Sequence, residues 1–75
     1  MSGIRSVPIK GIGRVWFLAD DLGMVWMGGW RTKRQAERYY RLAVACDWDA
    51  DHFSDDDCDV RLDEAGRPIR PVKAV

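Results

Sequence analysis

Residues 15–30 read VWFLADDLGMVWMGGW and hold three of the four tryptophans in this 75-residue chain. The runs 14–19 and 24–30 are rich in β-branched and aromatic residues, which favour strands. Between them, residues 20–23 read DDLG, and Asp at the first position with Gly at the last is typical of a type I turn. The stretch therefore predicts a β-hairpin, around which the rest of the fold must be arranged.

Side chains alternate between the two faces of a strand, so the hairpin register decides which residues share a face. The turn predicts that Ala19 pairs with Met24. This register places Val15, Phe17, Trp26 and Gly28 on one face, and Trp16, Leu18, Val25 and Met27 on the other. Neither face is polar. One helix can cover only one of them, so the other face needs a second cover or a partner.

An amphipathic helix is predicted directly after the hairpin. Thr32 and Gln35 have the spacing of a capping box, in which each side chain bonds the backbone N–H of the other residue. At 100° per residue, the apolar face consists of Ala36, Tyr39, Tyr40, Ala43 and Cys46. The opposite face carries Arg34, Arg38 and Arg41. We expect the helix to run from Lys33 to about Cys46 and to cover one side of the sheet.

Three further segments complete the predicted fold. Residues 4–9 predict a first strand, and Pro8 restricts it to a sheet edge because proline cannot donate a ladder hydrogen bond. Residues 47–59, DWDADHFSDDDCD, predict an acidic loop in which Trp48 and Phe53 dock on apolar surface. Residues 58–75 predict a second hairpin around the turn 63–66, in which Pro68 and Pro71 restrict the last strand to an edge or an extended arm. The expected fold class is α+β: a small antiparallel β-sheet packed on one α-helix, with a C-terminal β-hairpin or arm, in a single domain spanning residues 1–75.

Two alternatives remain for the second apolar face of the first hairpin. In one, it is covered by the C-terminal hairpin with Val60, Leu62 and Ile69, or by the N-terminal strand with Trp48 and Phe53. In the other, the face stays partly open and receives a partner, which is the usual role of a large exposed apolar patch on a small protein.

Charge is separated along the chain although the formal net charge is zero. Residues 1–45 hold eight Arg or Lys against three Asp or Glu, and residues 46–75 hold four against nine, so the two parts carry +5 and −5. This distribution suits an anionic partner on one side, a cationic partner on the other, or internal neutralisation. Two cysteines do not make a disulfide framework. Because no apolar leader or membrane-spanning run is present, we expect a cytoplasmic protein with no membrane partner.

Metal and catalytic motifs are incomplete. Four aspartates match positions 1, 3, 5 and 9 of an EF-hand loop: Asp47, Asp49, Asp51 and Asp55. His52 stands where that loop needs Gly, and Cys58 stands where it needs Glu. Cys46, His52 and Cys58 lack the paired spacing of a structural zinc site. A single histidine also provides no recognisable nucleophile–base pair, so we expect no metal, no cofactor and no enzymatic activity.

Residues 13–43 carry a pattern of Gly then Trp in a strand, an Asp-x-x-Gly turn, a second aromatic strand ending in Gly-aromatic, and Thr-Lys before an Ala/Glu-rich helix. Its members are Gly13, Trp16, Asp20, Gly23, Gly29, Trp30, Thr32, Lys33, Ala36 and Glu37. The pattern resembles the three-strand-plus-helix module of AP2-type DNA-binding domains and of the N-terminal arm-binding domains of phage tyrosine recombinases. The resemblance implies that the outer face of the sheet enters the DNA major groove, with Arg14, Trp16 and Lys10 as contacts.

The expected function is that of a small non-enzymatic binding protein. Its expected partner is a host protein complex that handles nucleic acid, because such complexes are basic and suit an acidic loop. In kind, the chain is similar to small phage or mobile-element proteins that modulate or inhibit host machinery, such as anti-CRISPR proteins. Trp and Arg are enriched at binding hot spots. The candidate partner-binding residues are Trp16, Trp26, Trp30, Arg34, Arg38 and Arg41, followed by Asp55, Asp56 and Asp57. The alternative is a DNA-binding accessory module like the recombinase arm-binding domains, and homodimer formation also remains open.

Overall fold

Three antiparallel strands and one helix form the fold in the computed structural model, which describes residues 3–54 and 57–69. The elements in chain order are β1 (Gly3–Ile9), β2 (Gly13–Ala19), β3 (Val25–Trp30), α1 (Lys33–Ala45) and a 3₁₀ turn (Ala50–His52). The sheet order β1–β2–β3 makes β1 an edge strand, which is where Pro8 is tolerated. The predicted α+β class is confirmed.

The turn between β2 and β3 is held by Asp20. Its side-chain Oδ1 accepts hydrogen bonds from the backbone N–H groups of Leu22 at 2.9 Å and Met24 at 3.0 Å. Its carbonyl accepts from the N–H of Gly23 at 3.0 Å. Gly23 has φ 82°, in the left-handed region that glycine reaches without steric cost. The predicted turn position is therefore confirmed.

The predicted register of this hairpin is wrong by one residue at the turn. Asp20 donates its backbone N–H to the carbonyl of Met24 at 3.0 Å, so the loop has three residues and Ala19 pairs with Val25. A one-residue slip moves side chains to the opposite face. Two bulges then change the register again, one beside Trp26 and one beside Gly29.

The sheet separates two hydrophobic clusters. Between the sheet and α1 lie Leu18, Trp30, Ala36, Ala43 and Cys58, with Trp16, Trp26 and Met27 packed against them. On the other side lie Val15, Phe17, Ala19, Val60 and Leu62, with Val25 packed against them. Val60 is 1% exposed and Leu62 is 8% exposed. The C-terminal segment therefore covers the second face of the hairpin, and this face is not open.

The C-terminal segment also bonds to β3 through the backbone. The N–H groups of Asp59 and Val60 donate to the carbonyl of Gly29 at 2.9 and 3.1 Å, and Val25 donates to the carbonyl of Glu64 at 3.1 Å. The turn 63–66 and a bridge between Leu62 and Pro68 form the described part of the predicted second hairpin, and the predicted continuation over residues 70–75 lies outside the described residues. The C-terminal hairpin thus lies along β3 and over one side of the sheet.

A side-chain capping box sets the start of α1, and a left-handed backbone turn follows its end. At the start, Thr32 Oγ1 accepts from the Gln35 N–H at 3.2 Å and Gln35 Oε1 accepts from the Thr32 N–H at 3.3 Å, which is the predicted capping box. At the end, Asp47 and Trp48 have φ values of 57° and 59°. These two left-handed residues reverse the chain and direct Trp48 back towards the sheet.

Candidate partner-binding surfaces

The arginine side of α1 is fixed by the burial of the opposite side. Ala36 and Ala43 are fully buried against the sheet, so Arg34, Arg38 and Arg41 are held on the exposed side of the helix, as their spacing predicts. Together with Thr32, Gln35 and Glu37 they line a shallow groove of about 640 Å³. The first turn of α1 contains Lys33 and Arg34 and no acidic residue, although a helix N-terminus favours negative charge.

Among residues 3–54 and 57–69, Arg34, Arg38 and Arg41 form no ion pair. Lys33 extends its ammonium over the ring of Trp16, at 5.8 Å from the ring centroid. This cation–π contact covers part of the half-buried Trp16 and gives Lys33 a partner on the sheet. The positive charges of Arg34, Arg38 and Arg41 are therefore directed to solvent, and no ion pair with a described residue neutralises them.

Trp30 is fully buried. Its ring stacks on Tyr39 at a centroid distance of 4.7 Å with an interplanar angle of 6°, and its indole N–H donates to the Asp57 carbonyl at 2.9 Å. Because the ring has no exposed area, Trp30 contributes to the core and offers no direct contact surface to a partner.

Trp26 is half-buried in an aromatic cluster next to α1. Trp48 and Phe53 pack edge-on against it, with centroid distances of 5.0 and 5.2 Å. Through these two rings, the predicted acidic loop 47–59, here called the acidic segment, is attached to the sheet, while Asp47, Asp49 and Asp51 remain exposed. Trp26 therefore positions the acidic segment, and only part of its ring reaches the surface.

The acidic residues have separate local roles. Asp49 accepts from the Asp51 N–H at 3.0 Å and lies 3.7 Å from His52 Nε2, and Asp57 accepts from the Ser54 N–H at 3.2 Å. Asp59 accepts from the Arg31 N–H at 3.1 Å. The predicted contacts Asp55 and Asp56 lie outside the described residues. Within the described part of the chain, no group of His, Cys, Asp and Glu side chains is arranged to hold a metal ion.

The face that the DNA-binding resemblance implies is covered. Trp16 packs on the α1 side of the sheet, not on the outer side, which corrects the placement that the resemblance implied. Arg14 is exposed and donates to the Ser6 hydroxyl at 2.9 Å, and Lys10 is exposed in the β1–β2 turn. With Val60 and Leu62 over the outer face, a flat approach of this sheet to a DNA groove is blocked.

A second groove, which the sequence did not indicate, lies between β3 and the C-terminal hairpin. It has a volume of about 670 Å³. Its lining is mostly apolar and includes Met24, Met27, Leu62 and Ile69, together with the acidic Asp63 and Glu64. The groove depends on how two separate hairpins meet, so no local sequence pattern could have revealed it.

Two exposed apolar residues on α1 were not among the predicted partner-binding residues. Leu42 is 40% exposed and Val44 is 55% exposed. A helical projection of residues 33–45 places them on either side of the arginines, and this projection was the signal available in the sequence.

Comparison with protein-family models, with curated proteins and with solved structures found no match to this chain. In residues 3–54 and 57–69, no helix combines the length and the apolar character needed to cross a bilayer.

Proposed function

We propose that this chain is a small non-enzymatic binding protein that modulates or inhibits a host protein complex handling nucleic acid, as small phage and mobile-element proteins do. One observation carries the proposal. The arginines of α1 are exposed, and so are four aspartates of the acidic segment, Asp47, Asp49, Asp51 and Asp57. Arg34, Arg38 and Arg41 nevertheless pair with no described residue. A chain with zero net charge thus keeps two oppositely charged surfaces available.

Separated surfaces of this kind favour association with a partner that carries the matching charges. Complementary charge steers encounter and fixes the orientation of a complex more than it raises its affinity. A partner that handles nucleic acid has basic regions that suit the aspartates, and its acidic regions suit the arginines. The negative backbone of DNA attracts the arginines of α1 but repels the aspartates of the acidic segment.

A direct test is capture from host lysate, followed by reconstitution. The tagged chain is expected to retain a nucleic-acid-handling complex, and the purified components are expected to form a stoichiometric complex by light scattering. The triple variant Asp51→Lys, Asp55→Lys, Asp56→Lys should not form it, and it leaves the structural bonds of Asp49 and Asp57 in place.

A gel-shift assay with duplex DNA decides the alternative. We expect no shift at an ionic strength of about 0.15 M, where exposed charges are screened beyond ~8 Å. A shift that is lost in Arg34→Glu, Arg38→Glu, together with the absence of any stable protein complex, would replace this proposal with the DNA-binding one.

A further inference from the structure

We infer that the outer face of α1 is one partner-binding surface, and that it binds an acidic protein surface in which apolar side chains flank a row of carboxylates. This inference rests on the proposed function and adds the partner's chemistry to it. The outer face of α1 is defined by Arg34, Glu37, Arg38, Arg41, Leu42 and Val44, all of which are exposed.

The three arginines form a short, regular row. Arg34 and Arg41 are seven residues apart, which at 1.5 Å per residue is roughly 10 Å along the helix axis. Arg38 lies between them, about 40° to one side of Arg34. Carboxylates spaced i, i+4 and i+7 on a partner helix have the same repeat, so each could meet one guanidinium.

Apolar side chains border this row on both sides. At 100° per residue, Leu42 and Val44 lie about 80° to either side of Arg34. They are 40% and 55% exposed, because the sheet covers only the side of α1 that contains Ala36 and Ala43. A partner that covers them would remove apolar area from water while it pairs with the arginines, a combination found at protein interfaces.

The same face contains a negative charge, which favours a protein over a phosphate backbone. Glu37 is exposed between Arg34 and Arg41 and lines the same groove as the arginines. Uniform phosphates would be repelled by Glu37 and would leave Leu42 and Val44 uncovered. A protein surface can place a Lys or Arg opposite Glu37 and apolar residues opposite Leu42 and Val44.

The test uses a defined probe. A synthetic helical peptide with Glu at i, i+4 and i+7 and Leu on the same face is titrated against the isotope-labelled chain by NMR and calorimetry. We expect chemical-shift changes concentrated in residues 34–45. The charge-reversal variant Arg34→Glu, Arg38→Glu should raise Kd by about tenfold, since two favourable pairs become unfavourable. The variant Leu42→Ser, Val44→Ser should also weaken binding.

The matched control is Lys10→Glu, Arg67→Glu, which makes the same change in net charge at two exposed residues that are not part of α1. It should leave Kd within about twofold, because charges outside the interface act only through screened attraction. Circular dichroism verifies that every variant is folded.

Three results would overturn the inference: no binding of the peptide to the wild-type chain, equal weakening by the control variant, or tighter binding of duplex DNA to the same face. A host complex that survives Arg34→Glu, Arg38→Glu would also overturn it, while the proposed function would stand. Absence of any host complex would count against the proposed function itself, whatever the peptide does.

Discussion

Replacing Leu62 with Ala tests whether the C-terminal hairpin covers the second face of the sheet. Leu62 is 8% exposed and belongs to the cluster with Val15, Phe17 and Val60. Leu→Ala removes three carbon groups, each contributing about 0.8 kcal/mol when buried, which gives roughly 2.4 kcal/mol before any cavity is counted. Because a surface hairpin can partly collapse into the space, we expect a total loss of about 2–3 kcal/mol.

This loss is large for so short a chain. At ~0.05–0.15 kcal/mol per residue, the free energy of unfolding should be about 4–11 kcal/mol. In a domain of this size, each kcal/mol shifts Tm by about 4–8 °C, so Leu62→Ala should lower Tm by roughly 8–24 °C.

Urea unfolding followed by tryptophan fluorescence, together with a thermal scan, measures the effect. The matched control is Leu22→Ala, since Leu22 is 86% exposed in the β2–β3 turn and its loss should cost less than about 0.5 kcal/mol. Equal stability of the two variants would mean that the hairpin does not cover the sheet, and the two-cluster description of the core would be wrong.

Three further changes test individual contacts. Trp30→Phe keeps a ring to stack on Tyr39 but leaves the Asp57 carbonyl without its donor, so it should cost about 1–3 kcal/mol in urea unfolding; no measurable loss would contradict the hydrogen bond. Asp20→Ala removes an acceptor for two backbone N–H groups of the turn and should cost about 1–2 kcal/mol, whereas Asp20→Asn, which retains an oxygen acceptor, should cost less. The pKa of Tyr39 is raised above its usual 10.0, mainly because the side chain is partly buried and also because of the nearby negative charge of Asp57. Above about pH 10 the unfolded chain then releases a proton that the folded chain keeps, so the free energy of unfolding should fall as pH rises; Tyr39→Phe should flatten this alkaline decline, and an unchanged slope would contradict the shift.

The parts of the fold that sequence alone predicted are those set by local chemistry. Asp20 with Gly23 specifies a turn, Thr32 with Gln35 specifies a helix start, and Pro8 specifies an edge strand, because each acts within a few residues. The exposed arginine side of α1 follows from helical periodicity in the same way.

The remaining features depend on contacts between distant residues. The bulges at Trp26 and Gly29 reassign side chains between faces, and no local pattern marks them. Adding a Cβ to Gly29 would clash with Val15. Glycine is therefore required at position 29 by a residue fourteen positions earlier in the chain. Trp30 is placed in the core by Tyr39 and Asp57, so a tryptophan that is typical of a binding hot spot in sequence becomes a structural residue.

The C-terminal hairpin hydrogen-bonds to the outer edge of β3. Among the described strands of the sheet, β1 is therefore the one with an unpaired edge. Growth of the three-stranded sheet at this edge would require a strand from another molecule to pair with β1. Pro8 removes one donor from β1, and the exposed Arg5 adds charge to the same strand, two devices that discourage such growth. Pro8 and Arg5 thus disfavour edge-to-edge association of β1 with other molecules.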